Sequence, residues 1–101
     1  MGGRKVRVLL AASAYRDLEA LLTHYEEQGV AKAGQRWAVE ILTRIERMAR
    51  HPSSGRIVPE FGVEYLREWI HPPFRIVYKM DAGQCWVIRI WRSERLLRID
   101  T

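Results

Sequence analysis

Basic and aromatic side chains recur between residues 64 and 92 with the spacing of a β-sheet surface. An arginine guanidinium can bind a phosphate or carboxylate through two hydrogen bonds, and a tryptophan ring can stack on a nucleobase. This combination occurs on the binding platforms of single-stranded nucleic-acid proteins. The pattern also fits a sheet whose tryptophans pack against arginine stems, or a sheet face that a partner protein covers. The candidate residues are Arg67, Trp69, Arg75, Lys79, Arg89 and Trp91.

Other kinds of site chemistry find little support in the sequence. Neither GxxxxGK[ST] nor GxGxxG occurs, so no nucleotide-binding loop of these types is expected. The histidines, His24, His51 and His71, fall in different predicted elements and lack the i, i+4 pairing of a helical metal site. The serines have no neighbouring His and Asp in a recognisable nucleophile turn. We therefore expect no metal, no cofactor and no hydrolytic triad.

Three consecutive antiparallel strands are predicted to position the basic and aromatic residues. Successive strand side chains point to opposite faces of a sheet, so each run divides into two sets. His71-Pro72-Pro73 and Asp81-Ala82-Gly83 are the predicted hairpin connections. The alternation assigns to the core face Leu66 and Ile70, then Phe74, Ile76, Tyr78 and Met80, and finally Trp86, Ile88 and Ile90. It assigns to the open face Tyr65, Arg67, Trp69 and His71, then Arg75, Val77 and Lys79, and finally Cys85, Val87, Arg89 and Trp91.

One strand and two helices are predicted before these three strands. The strand runs from about Lys5 to Ala11, and Ser13 is expected to cap a first helix that ends at Gly29. Residues 56–62 are expected to form a linking loop, because Pro59 is incompatible with a central strand. Beyond Trp91 the periodicity fits both a continued strand and a terminal helical turn. The second helix runs from about Ala31 to Arg50, with Ala38, Ile41, Leu42, Ile45 and Met48 or Ala49 facing inward.

The element order is strand, helix, helix, strand, strand, strand, which predicts an α+β fold. The antiparallel helical hairpin would bury its apolar stripes on one face of a small sheet formed by the first strand and a three-stranded antiparallel meander. The other face would stay open to solvent. A chain of 101 residues suits one domain, which we expect to span residues 1–101.

The charge balance of the chain is basic. Seventeen Lys and Arg against twelve Asp and Glu give a net charge of +5, and most of the cations are arginines. This excess favours an acidic or polyanionic partner, although it also serves solubility alone. A single cysteine, Cys85, cannot form an internal disulfide. No signal peptide is recognisable and no stretch approaches the roughly 18 apolar residues of a membrane span, so a cytoplasmic location without a membrane partner is expected.

Several short motifs together resemble the RelE/ParE superfamily of type II toxin–antitoxin toxins, from about Val6 to Arg98. They are Ala14-Tyr15-Arg16-Asp17-Leu18, Gly55-Arg56-Ile57-Val58-Pro59-Glu60, Leu66-Arg67-Glu68, and Phe74-Arg75-Ile76-Val77-Tyr78 followed by the strand from Val87 to Trp91. The resemblance implies the fold derived above. It also implies a cognate acidic antitoxin that neutralises the toxin, and contact with DNA only through that antitoxin.

The superfamily contains two different activities. RelE-like members are ribosome-dependent mRNA endonucleases that use basic residues of the open sheet face and usually a tyrosine or histidine near the C-terminus. ParE-like members inhibit DNA gyrase by binding to it. The segment after Trp91 contains no His or Tyr, and Trp91 itself stands where many relatives have another residue, often histidine.

We favour the ParE-like reading, in which the toxin inhibits gyrase and arrests growth. The motifs at Gly55-Arg56 and Leu66-Arg67-Glu68 are more typical of ParE-like chains. In the alternative, a RelE-like nuclease acting on mRNA at the ribosome, the phosphates would be bound by Arg67, Arg75 and Arg89. The expected target-contact residues are Arg67, Trp69, Arg75, Lys79, Arg89, Trp91, Arg92 and Arg95, with Arg98 a weaker candidate.

Overall fold

A computed structural model describes residues 7–92 of the chain. Its helices and strands follow the order predicted from the sequence, and the α+β fold class is confirmed. The elements are β1 (Arg7–Leu10), α1 (Ala12–Glu27), α2 (Ala31–Met48), a 3₁₀ turn (Pro52–Ser54), β2 (Arg56–Ile57), β3 (Leu66–His71), β4 (Phe74–Asp81) and β5 (Gln84–Arg92). They form a five-stranded sheet in the order β1-β5-β4-β3-β2, with the helices packed against one face.

The strands β3, β4 and β5 form the predicted antiparallel meander, and β1 lies parallel to β5 at one edge. The predicted loop at residues 56–62 is partly wrong, because Arg56 and Ile57 pair with Glu68 and Arg67. This two-residue strand lies at the opposite edge of the sheet and ends before Pro59, so the proline does not interrupt its pairing. The outer edges of β1 and β2 have no strand partner among residues 7–92.

The start of α1 extends the support that β1 gives to β5. Ala11 N donates to Val87 O at 2.9 Å, and Ser13 Oγ then donates to Ile88 O at 2.6 Å. One helical turn later, Asp17 Oδ2 accepts from Ile90 N at 2.8 Å. Four helical residues rise about 6 Å and two strand residues span about 6.6 Å, so the two spacings match.

This arrangement corrects the prediction that Ser13 caps the helix. The residue at the N-cap position is Ala11, and no side chain caps the helix there. Ser13 uses its hydroxyl on the β5 edge instead, where Ile88 O lacks a strand partner. The predicted end of the helix is confirmed, because Gly29 has a φ of +78° and follows α1 by two residues.

The core lies between the helical hairpin and the inner face of the sheet. As predicted, β4 contributes Phe74, Ile76 and Tyr78, with Met80 partly buried beside them. Leu42 of α2 was expected to face this core, but 40% of its surface is exposed. The other buried members of the core are Ala14, Leu18, Leu21, Ile41, Ile45, Ala49, Trp69, Cys85, Val87 and Ile90.

A bulge in β5 overturns the predicted division of that strand. Val77 pairs with Arg89 and Tyr78 pairs with Val87, which leaves Ile88 as an extra residue. Before the bulge, the side chains that uninterrupted alternation assigns to the open face therefore point into the core. Those that it assigns to the core point outward. Cys85 and Val87 lie in the core. Trp86, which pairs with Lys79, moves to the outer face.

The face assigned to β3 was also wrong. Trp69 pairs with Ile76 and Arg67 pairs with Tyr78, and residues directly opposite each other in an antiparallel pair point to the same face. The inner face of β3 therefore presents Trp69, while Leu66 and Ile70 join Lys79 and Arg75 on the outer face.

Candidate functional site

Arg75 lies on the outer face of the sheet but is only 1% exposed. Its Nε donates to Glu68 Oε1 at 2.7 Å. Its Nη1 and Nη2 donate to the two carboxylate oxygens of Glu60 at 2.8 and 2.7 Å. Residues 58–60 thus cover this part of the outer face, where Val58 and Val77 are buried outside the helix-side core.

The charges in this cluster stabilise one another. The hydrogen bonds that Arg75 donates to Glu60, opposed in part by burial, raise the pKa of Arg75 above its ordinary value. The same contact with Arg75 lowers the pKa of Glu60. Arg56 completes the cluster by donating from Nε to Glu68 Oε2 at 2.6 Å. The guanidinium of Arg75 is therefore bound to two carboxylates of the chain, and at 1% exposure the side chain is inaccessible to a phosphate in solution.

Arg89 reaches around the sheet edge to α1. Its Nε and Nη2 donate to Asp17 Oδ2 and Oδ1 at 2.9 and 3.1 Å. This carboxylate contact raises the pKa of Arg89. The ring of Trp91 lies close to two guanidinium groups, with centroid distances of 5.0 Å to Arg89 and 5.6 Å to Arg75. Both arginines at this ring are already paired with carboxylates.

Trp69 is not on the open face, where it was predicted. It is 3% exposed, and its ring stacks on Tyr78 with a centroid distance of 3.7 Å and an interplanar angle of 12°. Its Nε1 donates to Ser54 Oγ at 2.9 Å. The physical reason is area: a tryptophan on the inner face of β3 buries more apolar surface than the smaller Leu66 and Ile70 would.

Arg67 lies on the inner face beyond the part that the helices cover. Its Nε donates to Glu64 O at 3.0 Å and its Nη1 to Gly55 O at 3.1 Å. It borders a recess of about 520 Å³ that is also lined by Pro52, Ser53, Glu64, Tyr65 and Met80. Arg67 therefore does not share a surface with Arg75, although sequence alternation grouped them.

The predicted contact residues after Trp91 do not form one surface with the arginines of the sheet in the described residues. Arg92 pairs with Phe74, places its guanidinium 5.6 Å from that ring centroid, and donates from Nη1 to Tyr25 Oη at 3.0 Å. Arg95 and Arg98 lie outside the described residues, so their expected role stays a prediction. The continued-strand alternative after Trp91 is met as far as Arg92, where β5 ends.

A row of half-buried side chains remains on the outer face, away from the Arg75 cluster. Leu9, Trp86, Lys79 and Leu66 follow one another across β1, β5, β4 and β3. We call these four residues the outer-face row. Lys79 makes no ion pair within residues 7–92 that would neutralise it. Sequence reasoning missed Trp86, because strict alternation cannot reveal a one-residue bulge.

A second surface is formed by the free edge of β1 and the adjacent side of α2. The two elements enclose a groove of about 380 Å³, which we call the β1–α2 groove. Its rim includes Val39 and Leu42, which are 63% and 40% exposed. Exposed aliphatic side chains beside an unpaired strand edge are suited to binding an extended or helical segment of another protein. The groove is lined by Val8, Leu10, Val39, Leu42, Thr43, Ile45 and Glu46.

Several metal-ligating and titratable side chains outside these surfaces have contacts within the fold. Among residues 7–92 no group of three His, Cys, Asp or Glu side chains is placed to bind a metal ion. The only histidine in the meander, His71, contacts Glu40 at 3.3 Å and the ring of Trp37. Tyr78 is buried in the core, where desolvation raises its pKa. No helix within the described residues is long and apolar enough to cross a bilayer.

A helical hairpin over one face of a five-stranded sheet, with the outer-face row on the opposite face and the β1–α2 groove at one edge, defines a small α+β domain. The sequence profile of the family described as "ParE toxin of type II toxin-antitoxin system, parDE" matches residues 8–97. The chain belongs to this family, and the resemblance inferred from the sequence is confirmed. No curated protein sequence matches the chain significantly.

Solved structures agree on the fold. The chain is similar to one from the chromosomal ParDE toxin–antitoxin system of P. aeruginosa, with a TM-score of 0.74 and 18% identity over 87% of this chain and 96% of that chain. It is also similar to a chain of the E. coli DinJ-YafQ toxin–antitoxin complex, with a TM-score of 0.54 and 8% identity over 92% and 98% of the two chains. At these identities the similarity concerns the fold alone.

Proposed function

We propose that this chain is a toxin that inhibits DNA gyrase by binding to it, arrests growth, and is neutralised by a cognate antitoxin. The observation that supports binding over catalysis is the neutralisation of Arg75 and Arg89 by carboxylates of the chain itself. These are two of the three arginines that a nuclease of this fold would need for phosphate contacts. Membership of the ParE family supports the toxin role.

The outer-face row is the proposed gyrase contact. Lys79 and Trp86 pair directly across β4 and β5, so a cation and a large apolar ring lie side by side on a half-buried surface. Tryptophan is enriched among the residues that dominate protein interfaces, so Trp86 is the central residue of this proposed contact. Trp91 and Arg89 extend the surface toward α1, whereas Trp69 and Arg75 support it from buried positions.

The β1–α2 groove is the proposed antitoxin surface. A segment of the antitoxin can pair with the free edge of β1 while its apolar side chains enter the groove beside Leu10 and Leu42. The free edge of β1 and the outer-face row adjoin each other, because Leu9 of β1 is the end member of the row. An antitoxin strand along β1 would therefore border the gyrase contact and could neutralise the toxin by obstructing it.

Supercoiling by purified gyrase tests the target. The wild-type chain should inhibit supercoiling, and Lys79→Glu or Trp86→Ala should weaken inhibition by at least about tenfold. Lys32→Glu, which makes the same charge change on an exposed position of α2, is the matched control. Circular dichroism melts establish that each variant is folded.

Growth assays separate this proposal from the nuclease alternative. Expression of the chain alone should stop DNA synthesis before protein synthesis, and co-expression of the antitoxin should restore growth. Unimpaired supercoiling together with specific mRNA cuts in a translating extract would contradict gyrase inhibition and support a ribosome-dependent nuclease.

A further inference from the structure

A small basic pocket lies beside α2, next to the β1–α2 groove. It has a volume of about 230 Å³ and includes Arg44, Arg47 and the ring of His71. Val39 and Thr43 line both the pocket and the groove. The two depressions are therefore neighbours that share one turn of the α2 surface. We call the second one the α2 basic pocket; Glu40 completes its lining.

The polar groups of this pocket are incompletely satisfied by the chain itself. Arg44 Nη2 donates to Ile70 O at a long distance of 3.3 Å. Arg44 Nε is buried and has no acceptor among the described residues. Glu40, the single carboxylate in the lining, contacts His71 Nε2 at 3.3 Å. Arg44 lines the pocket and has no carboxylate partner among residues 7–92, so a carboxylate entering the pocket would gain a charge-assisted hydrogen bond from its guanidinium.

The charge of α2 favours an acidic occupant. The helix carries four Lys or Arg against two Glu, and the exposed Val39 lies between the basic pocket and the apolar groove. By contrast, Arg75 and Arg89 on the sheet are neutralised by carboxylates of the chain. Arg44 and Arg47 of α2 have no carboxylate partner among residues 7–92, so this part of the basic surface is suited to an external anion.

We propose that the α2 basic pocket receives an Asp or Glu side chain of an acidic amphipathic protein segment that crosses α2 and places an adjacent apolar side chain in the β1–α2 groove. This inference rests on the proposed function, because it takes the antitoxin as the source of that segment. It adds a specific anchor point. A strand paired only with β1 would contact the groove and leave Arg47 and His71 untouched, since those residues line the other depression.

Two matched charge reversals on α2 test the anchor. The probe is the product of the gene adjacent to that of this chain, and its dissociation constant is measured by calorimetry with the full chain. Arg47→Glu should weaken binding by about tenfold or more, the loss expected for a charge-assisted hydrogen bond. Arg36→Glu, an exposed position of the same helix outside both depressions, should change binding by less than about threefold. Equal weakening by the two variants would overturn the proposal, because it would indicate only long-range attraction.

A direct measurement complements the variants. Glutarate is added as a carboxylate probe to the ¹⁵N-labelled chain, and the arginine Nε–Hε resonances are followed by NMR. Saturable shifts at Arg44 and Arg47 with none at Arg36 are expected, whereas uniform shifts at all three overturn the pocket. The proposed function is tested separately. If the chain binds the adjacent gene product through Arg47 but neither inhibits gyrase nor arrests growth, the pocket is supported and the toxin role is contradicted.

Discussion

Replacement of Arg75 by alanine should destabilise the fold, because the side chain contacts other residues of the chain rather than a target. The guanidinium makes hydrogen bonds to Glu60 and Glu68. The Glu68 side chain is 0% exposed, so its carboxylate depends on buried partners. Truncation of Arg75 leaves that carboxylate with Arg56 alone, which reaches only one of its oxygens.

The size of the effect follows from the burial of the pair. Breaking a buried ion pair by removing one partner costs about 3–5 kcal/mol, because the other charge remains desolvated. Arg56 stays in contact with Glu68 at 2.6 Å, which favours the lower end of that range. A loss of about 3 kcal/mol is a large part of the roughly 5–15 kcal/mol that stabilises an ordinary domain. For a chain of this size it corresponds to a fall in Tm of about 12–24 °C.

Urea denaturation of the wild type, Arg75→Ala and the double variant Arg75→Met/Glu68→Met measures this cost. The single variant should show a lower midpoint with an unchanged m-value. The double variant should lie within about 1 kcal/mol of the wild type, since apolar groups of similar volume replace the buried pair. Arg56 and Glu60 lose a partner in this variant, but their side chains are 53% and 37% exposed and stay solvated. If Arg75→Ala is as stable as the wild type, or the double variant as unstable as the single one, the assigned role of the pair is wrong. If Arg75→Ala is destabilised as expected, its loss of toxicity is not evidence of target contact.

Three further changes probe other parts of the structure. Gly55→Ala should cost about 1–3 kcal/mol in urea denaturation, because the new Cβ would lie 2.5 Å from Tyr78 Oη and 2.8 Å from a backbone oxygen; at Gly29, where no atom approaches, only the backbone strain of a positive φ should appear. Burial raises the pKa of Cys85 to about 11, so iodoacetamide at pH 8 should modify the thiol only after unfolding, and rapid modification of the native chain would contradict its placement. The pKa of Glu60 is lowered, so its ion pair stabilises the fold fully at pH values above the ordinary pKa of 4.5, and this contribution is lost as the pH falls through the lowered pKa. Glu60→Gln should therefore flatten the acid limb of the curve of stability against pH. An unchanged acid limb would refute the contact.

The arrangement of helices and strands could be predicted because the spacing of apolar residues in most segments fits only one type of element. The inner face of β4 is an example: Phe74, Ile76 and Tyr78 alternate without interruption and all lie in the core. Gly29 is another, since its position after an amphipathic helix requires the left-handed conformation that it adopts. These features depend on local sequence and on the period of the elements, which the sequence contains in full.

The faces of β3 and β5 could not be predicted because both faces of the sheet bury apolar groups. Residues 58–60 cover part of the outer face, so Val77 is as buried there as Ile76 is on the inner face. Alternation then fits either phase, and a contact between segments decides which one occurs. The bulge at Ile88 adds a second ambiguity, because it changes the phase within β5 and moves Trp86 outward.

The placement of charge has the larger consequence for function. The sequence shows a net charge of +5, and alternation placed the useful arginines on the sheet. In the fold, Arg89 is neutralised by Asp17, which lies 72 residues away in the sequence. Arg75 is neutralised by Glu60 and Glu68, which lie 15 and 7 residues away. Such pairing is invisible to a count of charges. It leaves Lys79 as the one cation of the outer-face row, and it leaves α2 with Arg44 and Arg47, which have no carboxylate partner among residues 7–92. An acidic partner would therefore meet two neighbouring cations on α2, whereas a target on the sheet would meet mainly the apolar side chains of the row. The two proposed interactions can thus be tested separately, with Arg47→Glu affecting the first and Trp86→Ala the second.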